Sequence, residues 1–320
     1  MAPSVIAVAG RWDDVARISP GWLAGMFVLQ VASSACLWAL QRETLRARVW
    51  SPIVTSQLSS NALSKVAPGG GAVGAALQYR MLVERGFEGG RVVGGLTIAN
   101  LLTLAAVLAM PVLAIPAIIR GLVPHDLVNV TLMGAGVFIL LAGVGAWCFA
   151  SDRPLRWIGR TVQRVRNRLR PRAEPMTELP SRLLRERDRI LHTLGTHWKG
   201  ALLATVGRWT FDYLTLLAAL AAIGSHPRPG LVLLAFCGAQ VLAQIPVTPG
   251  GLGFVEAGLT AMLTLAGVSA GNAVLATFAY RLVSYWLPLP FGLVAYGWHA
   301  RRFAGGGVDG QLDADAVGEP

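Results

Sequence analysis

Uncharged stretches recur along this chain, and their lengths predict its elements. Residues 18–41 carry no charged side chain and match the ~20 apolar residues that one helical membrane crossing needs. Arg42, Arg46 and Arg48 follow at once, which places that end in the cytoplasm. A second uncharged run fills 92–119 between Arg91 and Arg120, and a third fills 127–151. The link "RGLVPHDL" between them leaves room only for a tight turn. Residues 200–223 are apolar but interrupted by Arg208 and Asp212. Residues 229–255 and 257–280 are uncharged on either side of Glu256, and 282–300 run into "WHARR".

Two stretches depart from the pattern of a plain span. In "WSPIVTSQLSSNALSKVAPGGGAVGAALQYRMLVERG", residues 50–86, the first half is rich in Ser, Gln and Asn, and the centre is "APGGG". In residues 230–267 the centre is "AQIPVTPGGLGFVEAG". Each is expected to be two short helical pieces meeting at a Pro-Gly break. Backbone freed at such a break is tolerated at membrane depth only when protein or a wet cavity surrounds it. The alternative, both stretches as full spans, makes the 49–67 piece very polar for lipid.

An offset of 181 lays 62–86 over 243–267 with nine identities in 25 positions, among them Pro68/Pro249, Gly69/Gly250, Gly70/Gly251 and Gly86/Gly267. The flanks agree: 20–41 falls on 201–222, and the span ending at Arg120 falls on the one ending at Arg301. If both broken stretches are re-entrant hairpins, the span at 127–151 makes the second repeat the inverse of the first. Of the 28 Lys and Arg, 21 then lie on the cytoplasmic side. Inverted repeats with broken helices in matching places are a transporter architecture, with the site where the breaks meet.

Composition fits that picture. Hydrophobic residues make up 54% and charged residues only 14%, against about 25% charged in soluble domains. The net charge of +11 could suggest nucleic acid, but residues 152–199 hold twelve Arg and one Lys against five acids. Most of the excess therefore sits in one loop, as in positive-inside topology, and no nucleic-acid partner is expected. Within it, Leu155, Ile158, Val162, Val165 and Leu169 recur at three-four spacing opposite Arg. That predicts an amphipathic helix on an anionic leaflet, or a solvated linker helix. Cys36, Cys148 and Cys237 lie in apolar segments at unrelated spacing, and the five His are scattered, so neither a metal site nor a cofactor is expected.

Inside the membrane, hairpin tips aside, four charges remain: Arg208, Asp212, Glu256 and Arg281. Each would cost about 2.5–3.5 kcal/mol facing lipid, so all should face the interior. Arg208 and Asp212, at i and i+4, can pair. Arg281 shares a helix face with Ser284, Tyr285 and Pro288; its guanidinium suits phosphate, and it could equally pair with Glu256. Gly69 and Gly70, like Pro249, Gly250 and Gly251, would let backbone N–H groups approach an anion at a half-helix start, or would form tight turns only. Asn61, Gln57 and Gln244 are neutral hydrogen-bonding groups near the breaks. Arg80 and Glu84 are set for a surface pair, with a ligand role for Arg80 as the alternative.

Taken in order, "APGGGAVGAALQYRMLVERG", "QIPVTPGGLGFVEAGL" and "ATFAYRLVSYWLPLPFGLVAYG" resemble the lysylphosphatidylglycerol synthase transmembrane, flippase-like family over about residues 12–300. The most specific parts are Pro249, Gly250, Gly251, Gly253 and Glu256, and the helix of Tyr280 and Arg281. The resemblance implies a membrane protein that moves or handles a lipid with an anionic or polyprenyl-linked headgroup. Two departures stand out. The family has one more span before "GRWDDVARISPGW", and the first break has no carboxylate matching Glu256. Only a short acidic tail follows the last span, so lysyl transfer is not expected.

The expectation is an all-α integral membrane protein, a polytopic helical bundle with inverted repeats and two re-entrant Pro-Gly hairpins. Its single transmembrane domain is residues 1–303: repeat one about 18–120, linking span 127–151, basic cytoplasmic loop 152–199, repeat two about 200–301. Residues 304–320 are a disordered acidic tail. The expected role is translocation of an anionic phospholipid or polyprenyl-linked lipid across the cytoplasmic membrane, without catalysis. Membrane lipids are the expected partners, and self-association is left open. The substrate-binding set is Asn61, Gly69, Gly70, Arg80, Arg208, Asp212, Gln244, Pro249, Gly250, Gly251, Glu256, Tyr280, Arg281 and Tyr285. A lipid-modifying membrane enzyme and a non-catalytic scaffold recruiting through the basic loop are the alternatives; no nucleophile-base or metal-ligand set supports the enzyme.

Overall fold

The computed structural model describes residues 19–67, 70–110, 151–169, 178–243 and 251–304, with Gly136, Leu140, Gly143 and Trp147. The N-terminal stretch, most of the linking span 127–151 and the tail beyond Ala304 lie outside the described residues, as do Gly69, Gln244, Pro249 and Gly250.

Every regular element among the described residues is helical. They are α1 Pro20–Leu45, α2 Ser51–Val66, α3 Gly70–Glu84, α4 Gly89–Ala109, α5 Asp152–Leu169, α6 Leu179–Ala222, α7 Pro229–Ala243, α8 Phe254–Leu265, α9 Ala270–Arg281 and α10 Pro288–Ala304, with a π-helical turn at Leu282–Trp286 between the last two. Proline stands in the first turn of α1, α2 and α6, where its missing N–H would have had no helical partner. By length and hydropathy alone, α1 and residues 89–107 of α4 could cross a membrane.

The basic segment forms more structure than a loop. Beyond α5, the chain runs from Leu179 to Ala222 as one helix of 44 residues, about 66 Å at 1.5 Å per residue, roughly twice the ~30 Å hydrocarbon thickness. The span expected to begin at residue 200 is the second half of this helix. The reason is local: after Pro180 in the first turn, no proline occurs before Ala222, so the polar half and the apolar half propagate together.

Each broken stretch is a pair of short helices packed side by side, α2 against α3 and α7 against α8. Their 16, 15, 15 and 12 residues reach only about 18–24 Å. The offset of 181 carries the end of α3 at Glu84 onto the end of α8 at Leu265, and Gly89, the start of α4, onto Ala270, the start of α9. Between these ends the backbone repeats as well. Gly86 and Gly267 have φ of 87° and 91°, a left-handed conformation that glycine adopts without a Cβ clash. The Phe87 N–H donates to Leu82 O and the Val268 N–H to Leu263 O, matching bonds at matching positions.

α1 and α6, which correspond under the offset, make the most extensive helix contact, and α10 of the second half packs along α2 of the first. At that crossing a Cβ on Gly292 would collide with the Leu58 carbonyl and the Ala62 side chain, so glycine sets how closely the helices approach. The main core gathers around Phe236, which is fully buried and ringed by Trp209, Tyr213 and Tyr280 at centroid distances of 6.2, 5.7 and 6.5 Å. The face of α1 bearing Phe27, Val28 and Val31 is exposed, and Ser33 is buried on the other.

Candidate functional site

A cavity of about 220 Å³ opens where α1 and α2 of the first half meet α6, α7, α8 and α9 of the second. Gln30 and Ser33 line it from the midpoint of α1, so it lies deep within the bundle. Asn61, Lys65, Arg208, Asp212, Gln240, Tyr280 and Arg281 contribute its polar wall. A polar cavity so deep is the setting in which ionised side chains and irregular backbone are tolerated inside a membrane.

Asp212 accepts from the Tyr280 hydroxyl at 3.1 Å and from Gln240 Nε2 at 3.3 Å, with a further hydrogen bond from Gln30. Gln30 Oε1 itself is buried with no hydrogen-bond partner among the described residues, a place for water or a ligand donor. Arg208 stands one turn before Asp212, yet the two form no ion pair among the described residues. Instead Arg208 Nη1 donates to Thr103 Oγ1 at 3.3 Å, and the guanidinium lies 4.9 Å from the Trp209 ring centroid. Tyr280 and Gln240 thus take the place that helical spacing offered to Arg208.

Arg281 does pair with Glu256. Its Nε donates to Glu256 Oε1 at 2.7 Å, with the side chains 11% and 12% exposed. The other carboxylate oxygen, Oε2, accepts the Gly253 N–H at 2.7 Å. Glu256 is the third residue of α8 and caps its first turn from within, as in a capping box. The positive end of this half-helix, expected to face a ligand anion, is therefore occupied by the chain's own carboxylate.

Lys65, in the last turn of α2, was not among the expected site residues. Its Nζ donates to the carbonyls of Tyr285 at 2.8 Å and Ser284 at 3.3 Å, within the π-helical turn. Widened turns of this kind frequently mark functional sites. Nζ also lies 4.5 Å from the Tyr285 ring centroid, and Arg281 Cζ lies 4.5 Å from the same centroid. The Tyr285 hydroxyl returns a hydrogen bond to Lys65 O at 3.3 Å. One signal pointed to Lys65: it is the sole charged residue between Arg48 and Arg80.

Of the expected set, Asn61, Arg208, Asp212, Tyr280, Arg281 and Tyr285 line this cavity, and Glu256 touches it through Arg281. Gly70 and Gly251 have positive φ but lie outside the lining. Arg80 is elsewhere: its side chain is 76% exposed and pairs with Glu84 at 2.6 Å, while Glu84 also meets His299 at 2.9 Å. Gln57 joins a separate chain, accepting from Gln41 at 2.6 Å, which accepts from Gln78 at 3.0 Å. Among the described residues no His, Cys, Asp and Glu cluster could hold a metal.

The family model for the lysylphosphatidylglycerol synthase TM region matches residues 4–292. The chain belongs to this family. It is similar, over shorter stretches, to two UPF0104 membrane proteins of Methanothermobacter thermautotrophicus: 26% identical over 98 residues, 31% of this chain and 28% of that protein, and 29% identical over 87 residues, 27% and 26%. The aligned part therefore spans about a quarter of each relative's length. No solved structure matches. Membership in the lysylphosphatidylglycerol synthase TM family makes this a membrane protein, and the cavity described above lies within the matched range.

Proposed function

We propose that this chain is a flippase-like, multi-pass protein of the cytoplasmic membrane that translocates a lipid with an anionic headgroup through the cavity between its two halves. One observation carries the reading: five ionisable side chains, from α2, α6, α8 and α9, gather at or beside a cavity at the midpoint of a span-length helix. Such charges are costly in a membrane unless they serve a polar path. The repeated short helix pairs and the matching bonds after Gly86 and Gly267 support two inverted repeats with re-entrant hairpins, an arrangement that exposes a central site to either side in turn. The basic segment 152–199 and the C-terminus face the cytoplasm in this reading. The alternation would break the Arg281–Glu256 pair and free the guanidinium for a headgroup.

The test is flux. Purified protein in liposomes should move a fluorescent anionic phospholipid or polyprenyl-phosphate lipid between leaflets, and Glu256→Gln and Arg281→Ala should slow it at least tenfold. Transfer no faster than in protein-free liposomes, for both lipid classes, overturns the reading.

A further inference from the structure

Lys65 gives the cavity a charge that the rest of its wall does not balance. Arg281 is neutralised in contact by Glu256, and Arg208 and Asp212 are one cation and one anion on the same wall. Lys65 makes no ion pair among the described residues; its partners are two carbonyls and a ring. These five side chains together hold three cations and two anions. An ammonium has three N–H donors, and two of them serve the Ser284 and Tyr285 carbonyls, which leaves one for a ligand. Capping two carbonyls does not require a charge, since a neutral amide could donate to them as well. What only a cation supplies in this deep site is attraction for an anion.

The geometry also limits the ligand. Lys65 and Arg281 both line the cavity, and each lies 4.5 Å from the Tyr285 ring centroid, so a group with two acceptor oxygens inside the cavity has both cations on its wall. A volume of about 220 Å³ is below the ~300–1,000 Å³ of pockets that enclose drug-sized ligands. It admits a headgroup fragment, with the acyl chains left outside.

We infer that Lys65 makes this cavity selective for a small headgroup with a single negative charge, a phosphodiester monoanion held between Lys65 and Arg281. The inference rests on the translocation reading for the lipid source, but binding tests it separately from flux. A free phosphate ester offers the same chemistry, so soluble competitors belong in the experiment.

The full-length protein in nanodiscs is titrated with short-chain phosphatidylglycerol, a monoanionic diester, and short-chain phosphatidylcholine, a zwitterionic one, with glycerol phosphate and inorganic phosphate as soluble competitors. The wild type should prefer phosphatidylglycerol at least tenfold. Lys65→Met should erase the preference by weakening phosphatidylglycerol alone, and Lys65→Arg should restore most of it. If Lys65→Met does not fold, Lys65→Gln, which keeps a donor for the carbonyls, reports the same quantity. An unchanged preference in Lys65→Met or Lys65→Gln overturns the inference, as does soluble ester binding as tightly as the lipid. Selective binding without flux would sink the translocation reading and leave this one standing; flux with unaltered selectivity in the variants would do the reverse.

Discussion

Replacing Glu256 with glutamine isolates the charge of the buried pair from its other role. Glutamine at the third helical position can still accept the Gly253 N–H, as it does in capping boxes, so α8 keeps its cap while Arg281 loses its counter-ion. Removing one partner of a buried pair costs about 3–5 kcal/mol. The side chains are 11% and 12% exposed, so most of that applies. The Tyr285 ring at 4.5 Å meets the guanidinium in the wild type and the variant alike, so its cation–π attraction cancels and the expected loss stays at about 3–5 kcal/mol. At about 2–4 °C per kcal/mol, the purified protein in detergent should unfold roughly 6–20 °C lower. The double variant Glu256→Gln/Arg281→Gln leaves no lone charge and should recover more than half of the loss. A double variant whose loss equals the sum of the two single losses, with coupling below about 0.5 kcal/mol, would refute the buried-pair reasoning.

Three further outcomes follow from other contacts. Gly292→Leu should destabilise by about 1–3 kcal/mol through overpacking against Leu58 and Ala62, whereas Gly297→Ala, whose added Cβ would meet nothing within 4 Å, should hold the melting temperature or raise it slightly, since alanine favours a helix interior by about 0.5–1 kcal/mol over glycine. Gln41→Leu removes both bonds of the Gln57–Gln41–Gln78 chain; with Gln78 only 5% exposed, the loss should be about 2–3 kcal/mol, read from the same thermal scan. On α5, Ile158 and Val162 are exposed at 38% and 50% on the face turned away from the arginines, as in a helix lying on a membrane surface. A nitroxide label at Val162→Cys should therefore be shielded from an aqueous relaxant in anionic liposomes, and one at Arg160→Cys should not.

Part of this protein follows from its sequence alone. Hydrophobic run length and the low charge content predict a helical membrane protein, because unpaired backbone has no place in lipid. The recurrence of Pro-Gly-Gly at an offset of 181 predicts two related pairs of short helices, because proline and glycine end helices wherever they fall. The small set of intramembrane charges also offered Glu256 as a partner for Arg281, and the two do pair. Other features needed the packed bundle. Arg208 and Asp212 had the right spacing to pair, but Thr103 on α4 and Tyr280 on α9 reached them first, and no local rule could supply those neighbours. The helix from Leu179 to Ala222 joined what charge had divided, because a helix propagates through polar and apolar residues alike until something breaks it. Lys65 had no place in the expected site until folding brought the π-helical turn from more than two hundred residues away to receive it. Sequence spacing fixes which groups share a helix face, and only the tertiary structure decides which group on another helix is near enough to answer.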